Sequence, residues 1–228
     1  MSAAEQLEIE IKCLLGDEQA AHDFRNKLAA EFPGVGASLR EKQLNHYFEG
    51  GDLATLAERI APRLTGNDRA NLARIVERAA SASVRTREVD GLARFVVKAS
   101  LGDDSSENGV VRVEVDAPVE GMTLDELDTE ILEAGYAYQA KWSRAREVYE
   151  VPGVTVCIDR NAGYGYLVEF EKVIDDPAEV EASRAELEEV MRLLGVEELP
   201  QDRLERMFKH YNEHWPEYYG TTKVFIIE

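Results

Sequence analysis

The segment Leu7-Glu8-Ile9-Glu10-Ile11-Lys12 alternates aliphatic and charged residues without a break, the period-two signature of a β-strand that buries one face. The other face carries Glu8, Glu10 and Lys12. Alternate side chains on a strand stand roughly 6.5 to 7 Å apart, so two carboxylates at that spacing repel unless a cation, a proton or water compensates them. A divalent metal is the natural compensator. Taken alone, the hexapeptide is better explained as an edge strand with a solvated polar face. Other segments change that balance.

Several strand-like segments repeat the arrangement. Arg85 and Arg87 share a face in Val84-Arg85-Thr86-Arg87, as do Arg144 and Arg146 in Ser143-Arg144-Ala145-Arg146. Arg112, Glu114 and Asp116 share another, and Glu169 and Glu171 mirror Glu8 and Glu10. Acidic pairs fall near both ends of the strand-rich region and basic pairs between them. A solvated sheet face would more often mix signs along each strand, because like charges side by side cost stability. Closing such a sheet into a barrel directs the charged faces inward and leaves the aliphatic faces to helices. The interior then offers arginine and lysine to a polyanion and a carboxylate cluster to a hard cation such as Mg2+ or Mn2+. Phosphoryl transfer needs that combination, since positioning and charge neutralisation supply most of its rate.

The rest of the chain reads as an α+β domain. Residues 5–14 form a strand, and Asp17 to Glu31 an amphipathic helix ended by Phe32-Pro33-Gly34. Gln43 to Phe48 is a second strand. Leu53 to Ala80 has helical spacing broken at Pro62 and Gly66-Asn67, which predicts two helices. Strands at Ser83 to Val89, Ala93 to Ser100 and Gly109 to Ala117 follow, with turns at Asp90-Gly91 and around Asp103 to Gly109. Thr123, with Glu126 three residues later, signals a capping box for a helix to Ala134. Strands at Tyr136 to Glu150, Val154 to Asp159 and Gly165 to Val173 complete the sheet, with turns at Pro152-Gly153 and Gly163-Tyr164-Gly165. Asp175-Asp176 caps the next element. Helical spacing resumes from Pro177, Asp202 to His214 forms a last helix, and Val224 to Ile227 could add a strand to an edge or a partner.

Composition narrows the function. At 228 residues and 44% hydrophobic content the chain can bury one substantial core. Its 45 acidic against 26 basic residues, a net charge of -19, argue against a nucleic-acid binder, which draws affinity from basic surface. It has no apolar run of membrane-spanning length and no basic-then-apolar leader, so a soluble cytoplasmic protein with no membrane partner is expected. Cys13 and Cys157 lie in apolar strand-like runs and read as packing residues, not a disulfide or zinc site. His22, His46, His210 and His214 have no zinc-like setting and read as surface or packing residues. The Trp215, Tyr218 and Tyr219 cluster reads as packing or an interface.

Glu8-Ile9-Glu10-Ile11-Lys12, Arg85-x-Arg87, a strand ending near Lys98, Arg112-x-Glu114, Arg144-x-Arg146-x-x-Tyr149, Asp159 and Glu169-x-Glu171, in that order, resemble the CYTH family of triphosphate tunnel metalloenzymes. The resemblance covers about residues 5–174 and implies an eight-stranded antiparallel closed β-barrel, a tunnel with helices packed outside. It implies a barrel over residues 1–176, with a helical insertion at about 50–82, and a helical segment over 177–228 packed on it. Glu8, Glu10, Lys12, Glu169 and Glu171 would be catalytic. Glu8, Glu10, Glu114, Asp159, Glu169 and Glu171 would hold Mg2+ or Mn2+. Lys12, Arg85, Arg87, Lys98, Arg112, Arg144 and Arg146 would bind phosphate. Gln43 and Tyr47 match the family's second strand, with Tyr47 as a wall residue, and Lys141 is read as a tunnel cation or a rim charge. The expected activity is metal-dependent hydrolysis of triphosphate compounds, inorganic triphosphate foremost. Alternatives are a class IV adenylyl cyclase making cyclic AMP and pyrophosphate from ATP, and a non-catalytic polyphosphate or phosphorylated-ligand binder. The 50–82 insertion is uncommon in the family; capping a tunnel mouth and forming a homodimer are its two expected roles.

Overall fold

The computed structural model describes residues 7–79, 81–100, 112–174 and 176–228. Among them, eight strands form one mixed-order antiparallel sheet accompanied by six α-helices. The strands are β1 (Leu7–Gly16), β2 (Leu39–Gly50), β3 (Ser81–Val89), β4 (Leu92–Ser100), β5 (Arg112–Pro118), β6 (Tyr136–Val151), β7 (Val154–Asn161) and β8 (Gly165–Ile174). The helices are α1 (Glu18–Glu31), α2 (Leu53–Ile60), α3 (Gly66–Arg78), α4 (Leu124–Glu133), α5 (Val180–Leu194) and α6 (Gln201–Tyr218). The sheet order is β1-β8-β7-β6-β2-β3-β4-β5. Hydrogen bonding therefore gives the sheet two ends, and among the described residues it does not close the ring expected of a barrel. The expected turn around Asp103 to Gly109 and the cap at Asp175 lie outside the described residues; Asp176 does cap, accepting from the Ala178 amide.

Two compact units make up the chain, Met1–Lys42 with Ser143–Glu228, and Gln43–Trp142. In the first unit, β1, β8 and β7 present Ile11, Phe170, Val168, Val156 and Ile158 on one face, packed with Ala21, Phe24 and Leu28 of α1 and Leu187, Met191 and Leu194 of α5. Phe24 meets Phe170 edge to face at 6.3 Å, the arrangement that aromatic quadrupoles favour. α1 starts where the Asp17 side chain accepts from the Ala20 amide. The β7–β8 turn leaves no room for a side chain at Gly165, where φ is +75° and a Cβ would stand 2.0 Å from the Gly16 carbonyl oxygen. The C-terminal stretch lies against that turn, with Gly163 and Val224 forming a parallel bridge and the Phe225 amide donating to the Gly163 carbonyl at 2.8 Å. Cys13 and Cys157 are buried free thiols, as packing residues should be.

The second unit repeats this plan with other helices. Phe48, Val84, Phe95, Val97 and Val115 pack against Leu56 and Ile60 of α2, Leu72 and Ile75 of α3, and Leu127 and Ile131 of α4. The helical stretch predicted over Leu53 to Ala80 is two helices, joined by a short 3-10 turn over Ala61–Arg63 that carries Pro62. Thr123 and Glu126 form the predicted capping box of α4. Asp90 and Gly91 both adopt positive φ, 49° and 89°, which a two-residue hairpin turn requires. α4 also carries Asp128, 1% exposed, into the core, where His46 Nδ1 at 2.7 Å, Thr86 Oγ1 at 2.6 Å and Tyr138 Oη at 2.7 Å surround its carboxylate. Burial alone would raise its pKa, but the bonds from His46, Thr86 and Tyr138 win and hold it below the ordinary value.

Candidate metal and phosphate site

Strand register builds the first part of the site. β1 and β8 pair so that Glu10 lies opposite Glu171 and Lys12 opposite Glu169. Directly opposed residues share a face, so the two acidic motifs, 159 residues apart in the sequence, become neighbours. Carboxylate oxygens of Glu10, Glu169 and Glu171 come within 4.8 Å of one another. Three hard oxygen donors converging from two rigid strands fit a divalent cation such as Mg2+ or Mn2+.

Cations enclose this group. Lys12 Nζ pairs with Glu10 and stands 3.4 Å from Glu169. From β6, Arg146 grips Asp159 with Nε–Oδ1 at 2.8 Å and Nη2–Oδ2 at 2.6 Å, and reaches on to Glu169 and to Glu171 at 3.8 Å. Arg144 adds a bond to Asp159 Oδ2 at 2.9 Å. Glu169 is only 8% exposed, and burial pushes its pKa up; Lys12, Arg146 and Arg144 outweigh that and bring it down to about 2. Burial works against the Arg146 charge too, yet its hydrogen bond and charge contact with Asp159, then Glu169, hold its pKa above the ordinary value. Cys157 lies opposite Glu169, with Sγ 4.0 Å from Glu171. Burial lifts its pKa to about 12, so at neutral pH it is an un-ionised thiol.

The charged face of the second unit carries a different set. Arg87 donates Nε to Asn45 Oδ1 at 2.8 Å and Nη1 to Asp116 Oδ2 at 2.7 Å. Arg94 takes the other oxygen of Asp116 at 2.6 Å and the Asp116 carbonyl at 2.8 Å. Arg85 stands over the Tyr47 ring at 4.5 Å and donates to Ser83. Lys98 pairs with Glu114 at 3.1 Å.

Of the residues singled out in the sequence, Glu10, Lys12, Arg144, Arg146, Asp159, Glu169 and Glu171 come together in the first unit. Within it, Asp159 is bound by the two arginines and stands outside the three-carboxylate group. Arg85, Arg87, Lys98 and Glu114 fall in the second unit, where the partner of Glu114 is Lys98. The side chains of Glu8 and Arg112 lie outside the described residues, although backbone register puts Glu8 opposite Val173 and Arg112 opposite Ser100. Lys141, read as a tunnel cation or rim charge, stands 3.8 Å from buried Asp128 and over the Tyr138 ring. Tyr47, read as a wall residue, is covered by Arg85 and packed edge-on against Trp142.

Sequence reading passed over Asn45 and Arg94, and placed Asp116 on the charged face with Glu114 without giving it a role. The signal for Arg94 was its even spacing from Lys98 on β4; Asp116 shares its parity with Glu114. Among the histidines, His46 is buried against Asp128, and His210 and His214 stack on each other at 4.4 Å.

The family model of the CYTH domain matches residues 74–203, which span β3 through β8 and reach into α6. No curated protein matches the chain. Among solved structures, a protein of Pyrococcus horikoshii aligns with a TM-score of 0.58 and 19% identity over 89% of this chain and 99% of its own. A candidate adenylate cyclase of Vibrio parahaemolyticus aligns at 0.56 and 15% over 90% and 98%. A candidate adenylyl cyclase of Hippeastrum, described as having a dominant triphosphatase activity, aligns at 0.50 and 15% over 90% and 96%. These likenesses concern the fold. With more than half its length matched by the family model, the chain belongs to the CYTH domain family.

Proposed function

We propose that this chain is a divalent-metal-dependent hydrolase of triphosphate compounds, with inorganic triphosphate as its leading substrate. The observation that carries the reading is the convergence of Glu10, Glu169 and Glu171 beside Lys12, Arg144 and Arg146 on one sheet face. Glu10, Glu169 and Glu171 would hold Mg2+ or Mn2+, which neutralises phosphate charge and makes the phosphorus more electrophilic. Lys12, Arg144 and Arg146 bind non-bridging phosphate oxygens and absorb the charge that builds on the leaving group. A carboxylate of the group accepts a hydrogen bond from the attacking water and aligns it with the terminal phosphorus. Water forms the new P–O bond as the bond to the bridging oxygen breaks, so triphosphate yields orthophosphate and pyrophosphate. No covalent bond to the protein is required.

Several expectations belong to the same proposal. They are the closed tunnel, the phosphate roles of Arg85, Arg87, Lys98 and Arg112, and the metal roles of Glu8, Glu114 and Asp159. They also include the division into residues 1–176 and 177–228, a free small-molecule triphosphate as partner without nucleic acid or membrane, a homodimer, and a cytoplasmic location. No helix among the described residues is long and apolar enough to cross a membrane.

Product analysis tests the reading. Purified protein is incubated with triphosphate, ATP or thiamine triphosphate, each with Mg2+, Mn2+ or excess chelator. Chelator-sensitive orthophosphate release from triphosphate is expected. Cyclic AMP and pyrophosphate from ATP, without orthophosphate, would replace the hydrolase by a cyclase; saturable binding without turnover would make the protein a receptor.

A further inference from the structure

Arg146 is shared among three protein carboxylates. Its Nε and Nη2 hold Asp159, which is 1% exposed, while Nη2 and Nη1 reach Glu169 and Glu171. Lys12 is shared likewise, between Glu10 and Glu169. Each carboxylate of the metal-fitting group therefore already has a protein cation beside it. Among the described residues the face balances four carboxylates, Glu10, Asp159, Glu169 and Glu171, against three cations, Lys12, Arg144 and Arg146. Such a face has no excess charge with which to attract a polyanion. A divalent cation held by the carboxylates reverses its sign and removes what ties Arg146 to Glu169 and Glu171, because a guanidinium and a metal compete for the same oxygens.

We propose that Arg146 is a resident counter-ion: anchored by Asp159, it neutralises Glu169 and Glu171 while the carboxylates hold no metal and turns to a phosphate oxygen when they do, so that divalent cation and oligophosphate favour each other's binding. This rests on the metal-dependent reading above and adds to it a positive linkage between the two ligands. By reciprocity, phosphate must tighten metal binding by the factor by which metal tightens phosphate binding. Asp159 is then a positioning residue that keeps the guanidinium within reach of both partners.

Mn2+ binding, followed by the electron paramagnetic resonance of the free ion and without any turnover, tests the linkage. Arg146→Gln removes the competitor, so Mn2+ alone should bind about tenfold more tightly or better than to the wild type. Inorganic phosphate should then tighten Mn2+ binding to the wild type and leave the variant nearly unchanged. Equal Mn2+ affinity in the two proteins, or an equal phosphate effect, overturns the counter-ion role and leaves the hydrolase reading standing. No Mn2+ binding to either protein overturns both.

Arg146→Gln leaves Asp159 and Glu169 without the partner they share and could prevent folding, so the wild type supplies a second measurement. The Arg146 Nε–H resonance, assigned by its loss in Arg146→Lys, should shift when Mg2+ and inorganic phosphate are added together. An unmoved resonance under conditions where both bind overturns the proposal.

Discussion

The two units solve one folding problem with opposite electrostatics. Each sets an aliphatic sheet face against helices and leaves a charged face on the other side. In the first, carboxylates predominate and the cations serve them: Arg146 alone is shared among Asp159, Glu169 and Glu171. In the second, cations predominate and one carboxylate serves two of them, with Asp116 splitting its oxygens between Arg87 and Arg94. The difference teaches that alternation decides only which side chains share a face. Register across strands decides which carboxylates and which cations meet on that face.

The largest expected effect separates the faces by metal dependence. Glu10→Gln should lower metal-dependent turnover by about a thousandfold or more, because one charged ligand is lost from a three-carboxylate group. Glu10 is exposed, so thermal melting should hardly change. Steady-state kinetics across a Mn2+ series checks this, and wild-type turnover in the variant would remove Glu10 from the site. Next in size is a loss of folding. Phe170→Ala removes a fully buried ring packed against Phe24 and should cost about 3 to 5 kcal/mol in denaturant unfolding. Phe95→Ala should cost a similar amount in the second unit, where Phe95 is equally buried. A large difference between the two would break the symmetry of the comparison.

A smaller effect sharpens it. Asp116→Asn frees Arg87 and Arg94 from their shared carboxylate and should raise KM for triphosphate by about tenfold through lost orientation. Mn2+ affinity should stay constant, because the converging carboxylates among the described residues are Glu10, Glu169 and Glu171 and do not include Asp116. A weaker Mn2+ affinity in this variant would assign Asp116 to the metal side.

Period-two patterning made most of this legible. Each charged pair read from the sequence sits on a strand, and Glu169 and Glu171 stand opposite Lys12 and Glu10. Helix limits followed from caps, as at Asp17 and Thr123. Two kinds of fact were not legible. Pairing partners between distant strands depend on register, so the contacts of Asp159 with Arg144 and Arg146, and of Glu114 with Lys98, could not be read from the sequence. Buried polar contacts across a helix and a sheet leave no periodic trace, so the joining of Asp128 with His46, Thr86 and Tyr138 was invisible.

The smallest effect is on stability in acid, and it again divides the units by carboxylate. Glu169 has a folded-state pKa of about 2 against an ordinary 4.5, so the unfolded chain takes up its proton first as pH falls. The stability that Glu169 contributes is complete above about pH 4.5 and is lost progressively down to about pH 2. Asp128 in the second unit is also held below the ordinary carboxylate value, and its contribution declines in the same sense as acid is added. Glu169→Gln should therefore flatten the acid limb of the stability curve between those limits while lowering stability at neutral pH. Asp128→Asn should likewise flatten the acid limb and leave Mn2+ binding intact. Denaturant unfolding at a series of pH values reads both slopes. Unchanged slope in Glu169→Gln would mean that Lys12, Arg146 and Arg144 do not stabilise the carboxylate in the folded chain, and the charge balance drawn for the first unit would fail with it.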